Sequence, residues 1–334
     1  MFLLTNMRNN MKGFRSNWCV NFLKCIKYGI LLIPEYIYWF KWDIMKSSVV
    51  RNEKSDLTNL VVSSHVLEKG ITMPERRLGF GYAIVRGLIR DCADGINKYT
   101  ENHMEIQICL KDLEQYLRIH ESADYRLPND IVTGINTLLQ DKLYDTKACY
   151  NTNRSEYFNR TADFSEFAHQ RHSVRWYSDE KIDEDTIVRA IKLAQTAPSA
   201  CNRQSIKVYV IDSEEKKQQV LKLQNGNRGF GHKADKILLI TSDMKCWSYR
   251  SRSSAYLDAG IFTQNLLYAL HYYNICACTL NASVDRKTRK KIQSIIGHDE
   301  SEIAIVFISI GKAPDQFMVA GSQRINTQQI CKFI

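Results

Sequence analysis

Arg171-His172-Ser173-Val174-Arg175-Trp176-Tyr177, followed about twenty residues on by Ala197-Pro198-Ser199-Ala200-Cys201-Asn202-Arg203-Gln204, decides how this chain is read. On an extended backbone, side chains at i, i+2 and i+4 point to one face, so Arg171, Ser173 and Arg175 point the same way. Two guanidinium forks around a hydroxyl suit a phosphate dianion, which takes charge-assisted and often bidentate hydrogen bonds. A solvated basic strand carries the same pattern. The second segment separates the two readings. It is a turn-forming run of small polar residues placed directly after a helical pattern, and its groups can hydrogen-bond a planar heterocycle.

The rest of the C-terminal half alternates helices and strands. Asp183-Glu184-Asp185 complements the dipole of a helix whose inward face is Ile187, Ile191 and Ala194. Strands read at Lys207–Ile211, Lys236–Thr241 and Ile303–Ile310, and their near-continuous apolar character suits a sheet covered on both faces. Between them runs Leu257-Asp258-Ala259-Gly260-Ile261-Phe262-Thr263-Gln264-Asn265-Leu266-Leu267-Tyr268-Ala269-Leu270, a helix apolar nearly all round and therefore predicted to be buried. Asn274–Asn281, a charged helix ending near Ile296-Gly297, the exit Gly311-Lys312-Ala313-Pro314, and Ser322-Gln323-Arg324 complete the series.

In this order the segments resemble the FMN-dependent nitroreductase family over roughly residues 165–334. The fold class implied is α+β, a nitroreductase-like α-β-α sandwich around a central, mostly antiparallel sheet, with a mainly helical N-terminal domain added. The resemblance implies FMN as cofactor, with Arg171, Ser173, Arg175 and Arg324 on its phosphate and His172 in the same motif. It further implies a homodimer, in which Pro198, Ser199, Ala200 and Asn202, with Gln204 of the same run, line the isoalloxazine from the second subunit. Backbone donors of the Leu280-Asn281-Ala282 turn would face the flavin ring. NAD(P)H would reduce the flavin, which would then reduce a small organic acceptor in ping-pong fashion. No side chain is required as acid or base, and the catalytic residues stay unassigned. One departure stands out: Ser322 occupies a place where the family commonly has lysine, which puts one phosphate contact in doubt.

A net charge of +10 implies affinity for anions. No recognised nucleic-acid-binding fold appears, and no Rossmann or Walker fingerprint. The ten cysteines form no CxxC framework, and no export signal precedes them, so reduced thiols in a cytoplasm are expected. The eight histidines show no HxxxH or HExxH spacing, and no protein-bound metal is expected.

Residues 1–155 read as a separate, mainly helical domain of unknown role, and 156–334 as the FMN-binding domain. The polar run Tyr150–Glu156 reads as the linker between them. Leu113, Tyr116, Leu117 and His120 fall on one side of a helix, and a second helix follows Asn129, an N-cap candidate. His65–Ile71 and Pro74–Gly81 mix charge, glycine and aromatics; they read as a helix C-terminus at Gly70 and a structural loop, and they also resemble an extension on nitroreductase-like proteins of surface-polysaccharide gene clusters. The first fifty residues hold seven lysines and arginines against two carboxylates. Their apolar stretch Tyr28–Phe40 is too short to span a bilayer; it reads as the buried part of a helical domain, though an aromatic patch flanked by lysines can also rest on a membrane surface. A second functional reading from another class stays open: a flavin-fold protein without redox activity that serves as a binding or scaffolding partner, linked to surface-polysaccharide synthesis.

Overall fold

The computed structural model describes residues 53–99, 103–140, 149–248 and 251–334, with single helical positions between Phe22 and Ile33. Most of the Tyr28–Phe40 segment lies outside the described residues. The chain divides into two compact units, Met1–Asn59 and Leu60–Ile334. The boundary expected near residue 155 falls inside the second unit, and the reason is local. The Tyr150–Glu156 run is not a linker. Its first four residues form β1 (Tyr150–Asn153), and Asn153 then caps a short helical turn by accepting the backbone N–H of Glu156 at 2.9 Å. A polar sequence concealed a strand because its partner, near the far end of the chain, satisfies its backbone groups.

Helices α1 (Glu53–Ile71), α2 (Tyr82–Lys98), α3 (Met104–Ser122) and α4 (Asn129–Leu139) precede β1. The apolar stripe read in α3 is buried as expected, with Leu113, Tyr116 and His120 fully enclosed. Pro128, not Asn129, takes the N-cap position of α4. After β1 come α5 (Arg154–Tyr157), α6 (Phe164–Gln170), α7 (Glu184–Ala194), β2 (Ile206–Ile211), α8 (Glu214–Leu223), β3 (Lys236–Asp243), α9 (Ser254–Tyr272), β4 (Cys276–Asn281), α10 (Arg286–Ile296), β5 (Glu302–Gly311) and β6 (Gln316–Val319).

The central sheet has the order β2-β3-β5-β4, and all of its pairs are antiparallel. A separate antiparallel pair joins β1 to β6 in the register Tyr150↔Val319 to Asn153↔Gln316. Successive strand residues face opposite sides, which sorts the core into two layers. Ile237, Leu239 and Phe307 join Val220 of α8 and Ile292 of α10 on one side. Leu238, Ile240, Ile308 and Ile310 join Ile187 and Ala190 of α7 and Leu266 and Leu270 of α9 on the other. β3 is buried on both sides, which explains its unbroken apolar run.

α9 departs from the expectation of full burial. Its sheet-facing residues are enclosed, but Tyr256, Leu257 and Ile261 are 59%, 62% and 36% exposed in the single chain. One sheet covers only one side of a helix, so the opposite side needs a further layer or stays open.

The segment Arg171–Tyr177 is pinned across the β4–β5 end of the sheet. Val174 donates its N–H to Ala277 O at 3.0 Å, and Ser178 donates to Lys312 O at 2.9 Å. Tyr177 is buried, with its Oη 2.8 Å from Ser309 Oγ. The ring lies where Gly311 has no side chain: a Cβ there would sit 2.5 Å from Tyr177 Cδ1. Gly311→Ala is therefore expected to lower the free energy of unfolding by about 1–3 kcal/mol, the usual cost of overpacking. Urea denaturation of the two proteins checks this, and equal midpoints would show that the ring is not held there.

Candidate functional site

Two cavities bracket the motifs. The first, about 730 Å³, is lined by Arg171 and His172, by Gln264 and Tyr268 one turn apart on α9, and by Ser322 and Arg324 of the C-terminal tail. Arg171 Nε is buried and has no hydrogen-bond partner. A guanidinium N–H without an acceptor is costly, and an anion in the cavity would supply one. Arg324 is exposed, and its guanidinium donates to Ser322 O. His172 is anchored through its backbone, donating its N–H to Tyr157 Oη at 2.9 Å.

Arg175 does not share that cavity. It is 5% exposed, its guanidinium lies over the Phe230 ring at 5.7 Å, and its Nε is also without a partner. Lys69 of α1 approaches the same ring at 5.2 Å and donates to Gly226 O. Burial, then the charge of Arg175, lowers the Lys69 pKa from the usual lysine value. Ser173 and Arg175 lie near the buried Cys278 thiol, which burial pushes up. The shared face inferred for Arg171, Ser173 and Arg175 thus resolves into two ends. Arg171 serves the open cavity, and Arg175 serves a buried cationic spot facing the glycine-rich loop Asn225–Gly231.

The second cavity, about 470 Å³, is lined by Pro198, Ser199, Gln204, Lys207, Asp258 and Phe262 among others. It sits beside a turn with an unusual backbone. Cys201, Asn202 and Gln204 hold φ of 52°, 54° and 49°, a left-handed region that costs about 1–2 kcal/mol per non-glycine residue. Local bonds hold it. Ala200 donates its N–H to Asp258 Oδ2 at 3.0 Å, and Gln204 donates its N–H to Ser199 Oγ at 3.2 Å. Asp258 is 3% exposed and serves here as an anchor for the turn. Asn202 projects to the surface, where its Oδ1 accepts from Gln204 Nε2 at 3.0 Å.

Leu280, Asn281 and Ala282 lie away from both cavities, at the end of β4. Leu280 is buried, and Asn281 O accepts from Gln224 Nε2 at 3.0 Å. Glu68, which accepts the backbone N–H of Ser322, and Lys69, which reaches Gly226 O, carried no assignment in the sequence. The charged, glycine-bearing run His65–Ile71 was their only signal, and nothing local says which loops it will meet. Among the described residues no group of three or more His, Cys, Asp or Glu side chains is placed to hold a metal ion, and no helix is long and apolar enough to cross a membrane.

Beneath Arg171 lies His271, 2% exposed and ringed by Tyr157, Phe158 and Phe167 at 4.9, 5.2 and 4.9 Å. Burial first, then the charge of Arg171, holds its pKa down to about 4.

Comparison with known proteins places this site in context. The model of the Nitroreductase family matches residues 168–226, which contain both opening motifs. The chain is similar to an Archaeoglobus fulgidus protein named as an NADH dehydrogenase/NAD(P)H nitroreductase, 26% identical over 149 residues, 44% of this chain and 83% of that one. Among solved structures, a nitroreductase family protein of Streptococcus pneumoniae TIGR4 is similar at 18% identity and a TM-score of 0.46, covering 52% of this chain and 100% of that one. An FMN-dependent nitroreductase of Clostridium difficile R20291 is similar at 21% identity and a TM-score of 0.40, covering 44% and 86%.

His271 gives the acid behaviour of this layer. An imidazole whose folded pKa lies below its unfolded value of about 6.5 stabilises the fold fully above that value. It loses the contribution as pH falls toward the folded pKa. Between about pH 6 and pH 4.5 the unfolding free energy should fall more steeply than in His271→Phe, by up to about 1.4 kcal/mol per pH unit. Parallel slopes in chemical denaturation at several pH values would show that the ring is not held neutral.

Proposed function

We propose that this chain is an FMN-dependent oxidoreductase of the nitroreductase type. In this reading NAD(P)H and a small organic acceptor use one flavin site in turn. The observation that carries the proposal is the convergence of Arg171 and Arg324, from the two ends of the C-terminal half, on one open cavity with a buried, unpartnered guanidinium N–H. A phosphate monoester fits that donor set. The match of the nitroreductase family model to residues 168–226 supports it, as does the similarity to the Archaeoglobus protein. When bound, the flavin supplies the hydride and electron transfer.

The protein's own residues would bind and orient. Arg171 and Arg324 hold the phosphate, with His172 and Ser322 shaping the wall. Arg175, at the other end of the motif, meets a different part of an elongated ligand, and Lys69 adds a second cation there. All of the cofactor residues first assigned lie within 156–334, which we take as the nitroreductase-like half even though folding unites it with residues 60–155.

Pro198, Ser199 and Gln204 face a different cavity from Arg171, so one chain does not present both halves of the ligand envelope together. A homodimer would bring the second cavity of one protomer to the first of its partner. The uncovered apolar side of α9, with Tyr256, Leu257 and Ile261, is the surface we assign to that contact. Leu257→Arg is then expected to give monomers by light scattering and to abolish flavin binding. A monomeric wild type that holds flavin would remove the dimer from the proposal.

The reading without redox activity is favoured by one observation: Ser322 stands where the family commonly places lysine, so one phosphate contact is missing. Purified protein that carries FMN but does not bleach with NAD(P)H would establish it.

The phosphate assignment has its own test in fluorescence titrations with FMN and with riboflavin, which lacks the phosphate. Arg171→Ala removes a charge-assisted bond worth about 1.5–3 kcal/mol, so FMN affinity should fall roughly tenfold to a hundredfold while riboflavin affinity barely changes. Arg175→Ala should weaken both ligands alike. Equal losses for both ligands in Arg171→Ala would retract the phosphate site.

A further inference from the structure

Glu68, in the last turn of α1, is 4% exposed. Its Oε1 accepts the backbone N–H of Ser322 at 2.9 Å, joining residues 254 positions apart. Ser322 holds φ at 44°, a left-handed conformation uncommon for a residue with a side chain. Its carbonyl in turn accepts the Arg324 guanidinium. Glu68, the Ser322 turn and Arg324 therefore form a chain of bonds that ends on the wall of the larger cavity, beside Arg171 and His172.

We propose that Glu68 is a positioning residue for this anion site. It reaches from the N-terminal half and holds the Gly321–Arg324 turn in the conformation that brings Arg324 to the cavity. The identity of the ligand as a phosphate monoester rests on the cofactor reading above. The hold on the turn does not.

Charge alone argues against any other benefit. A carboxylate next to an anion site weakens the field that attracts the ligand. Its surroundings are not built for the charge either. His65 Nδ1 lies 3.7 Å from Oε2, and no other ion pair is seen at Glu68 among the described residues. After burial, the Glu68 charge is the next cause that holds the neighbouring Asp112 well above the usual carboxylate range. What the carboxylate provides is an acceptor at the right place for one backbone N–H.

Geometry and charge make opposite predictions for two substitutions. Glu68→Ala removes the acceptor. Glu68→Gln removes the charge but keeps a carbonyl able to accept the same N–H. The full chain, without ligand, is first compared by amide hydrogen exchange at Ser322, and then by fluorescence titration with FMN and riboflavin. In Glu68→Ala, Ser322 exchange should speed up roughly tenfold or more, FMN affinity should drop roughly tenfold, and riboflavin affinity should change by less than about twofold. Glu68→Gln should resemble the wild type in all three measurements. Unchanged exchange at Ser322 in Glu68→Ala would overturn the proposal. So would equal losses of both flavins in both variants, which would mark Glu68 as a residue of the general core. A wild type that binds no FMN would sink the flavin reading, and the exchange data would still decide the role of Glu68.

Discussion

The attachment of Arg171–Tyr177 to the end of the central sheet is the constraint on which the site depends. Val174 is tied to β4 through Ala277, and Tyr177 fills the space that Gly311 leaves open on β5. With the middle of the segment buried, its basic ends must diverge. Arg171 emerges at the cavity it shares with Arg324, and Arg175 is driven inward against Phe230 and Cys278. A segment free in solvent would spread its two guanidinium groups over a single small anion. Pinned in this way, its two guanidinium groups meet different surroundings, one an open cavity and the other a buried aromatic ring.

The N-terminal helices are bound into the same arrangement. Trp176 donates its indole N–H to Thr72 O at 2.7 Å, Glu68 holds the Ser322 turn, and Lys69 reaches Gly226. These contacts come from the end of α1 and the residues just after it. They touch the basic motif, the C-terminal tail and the glycine-rich loop, three stretches far apart in sequence. The pairing of β1 with β6 adds a fourth tie. Cutting the chain between the halves would expose backbone donors and acceptors on both sides. Residues 60–155 are for this reason part of the folded unit that carries the site, whatever further role they have.

Burial holds one polar group under the Arg171 cavity in its neutral state, and hydrogen bonds hold a strained turn beside the second cavity. His271 stays neutral because aromatic rings exclude water from it and Arg171 opposes a second positive charge. The left-handed residues at Cys201, Asn202 and Gln204 persist because Asp258 and Ser199 satisfy the N–H groups on either side. Strain of this kind survives only where surrounding contacts over-determine it.

The sequence by itself determined the architecture of the C-terminal half. Apolar runs at Lys236–Thr241 and Ile303–Ile310 became the two central strands, Asp183 capped the helix expected after it, and Gly297 closed the charged helix with a φ of 84°. These are local rules of periodicity and capping, and they need no knowledge of distant partners. The family resemblance assigned Arg171 and Arg324 to one anion, and the fold places both on the wall of one cavity. Only the tertiary structure decided that Arg175 would turn away from them, that a polar run at Tyr150 would be a strand, and that one side of α9 would stay uncovered. The same holds for the part played by Glu68 and Lys69. The physical reason is common to all of these. Each depends on which remote group satisfies a backbone bond or shields a charge, and that is settled by how the chain closes on itself, which no local pattern records.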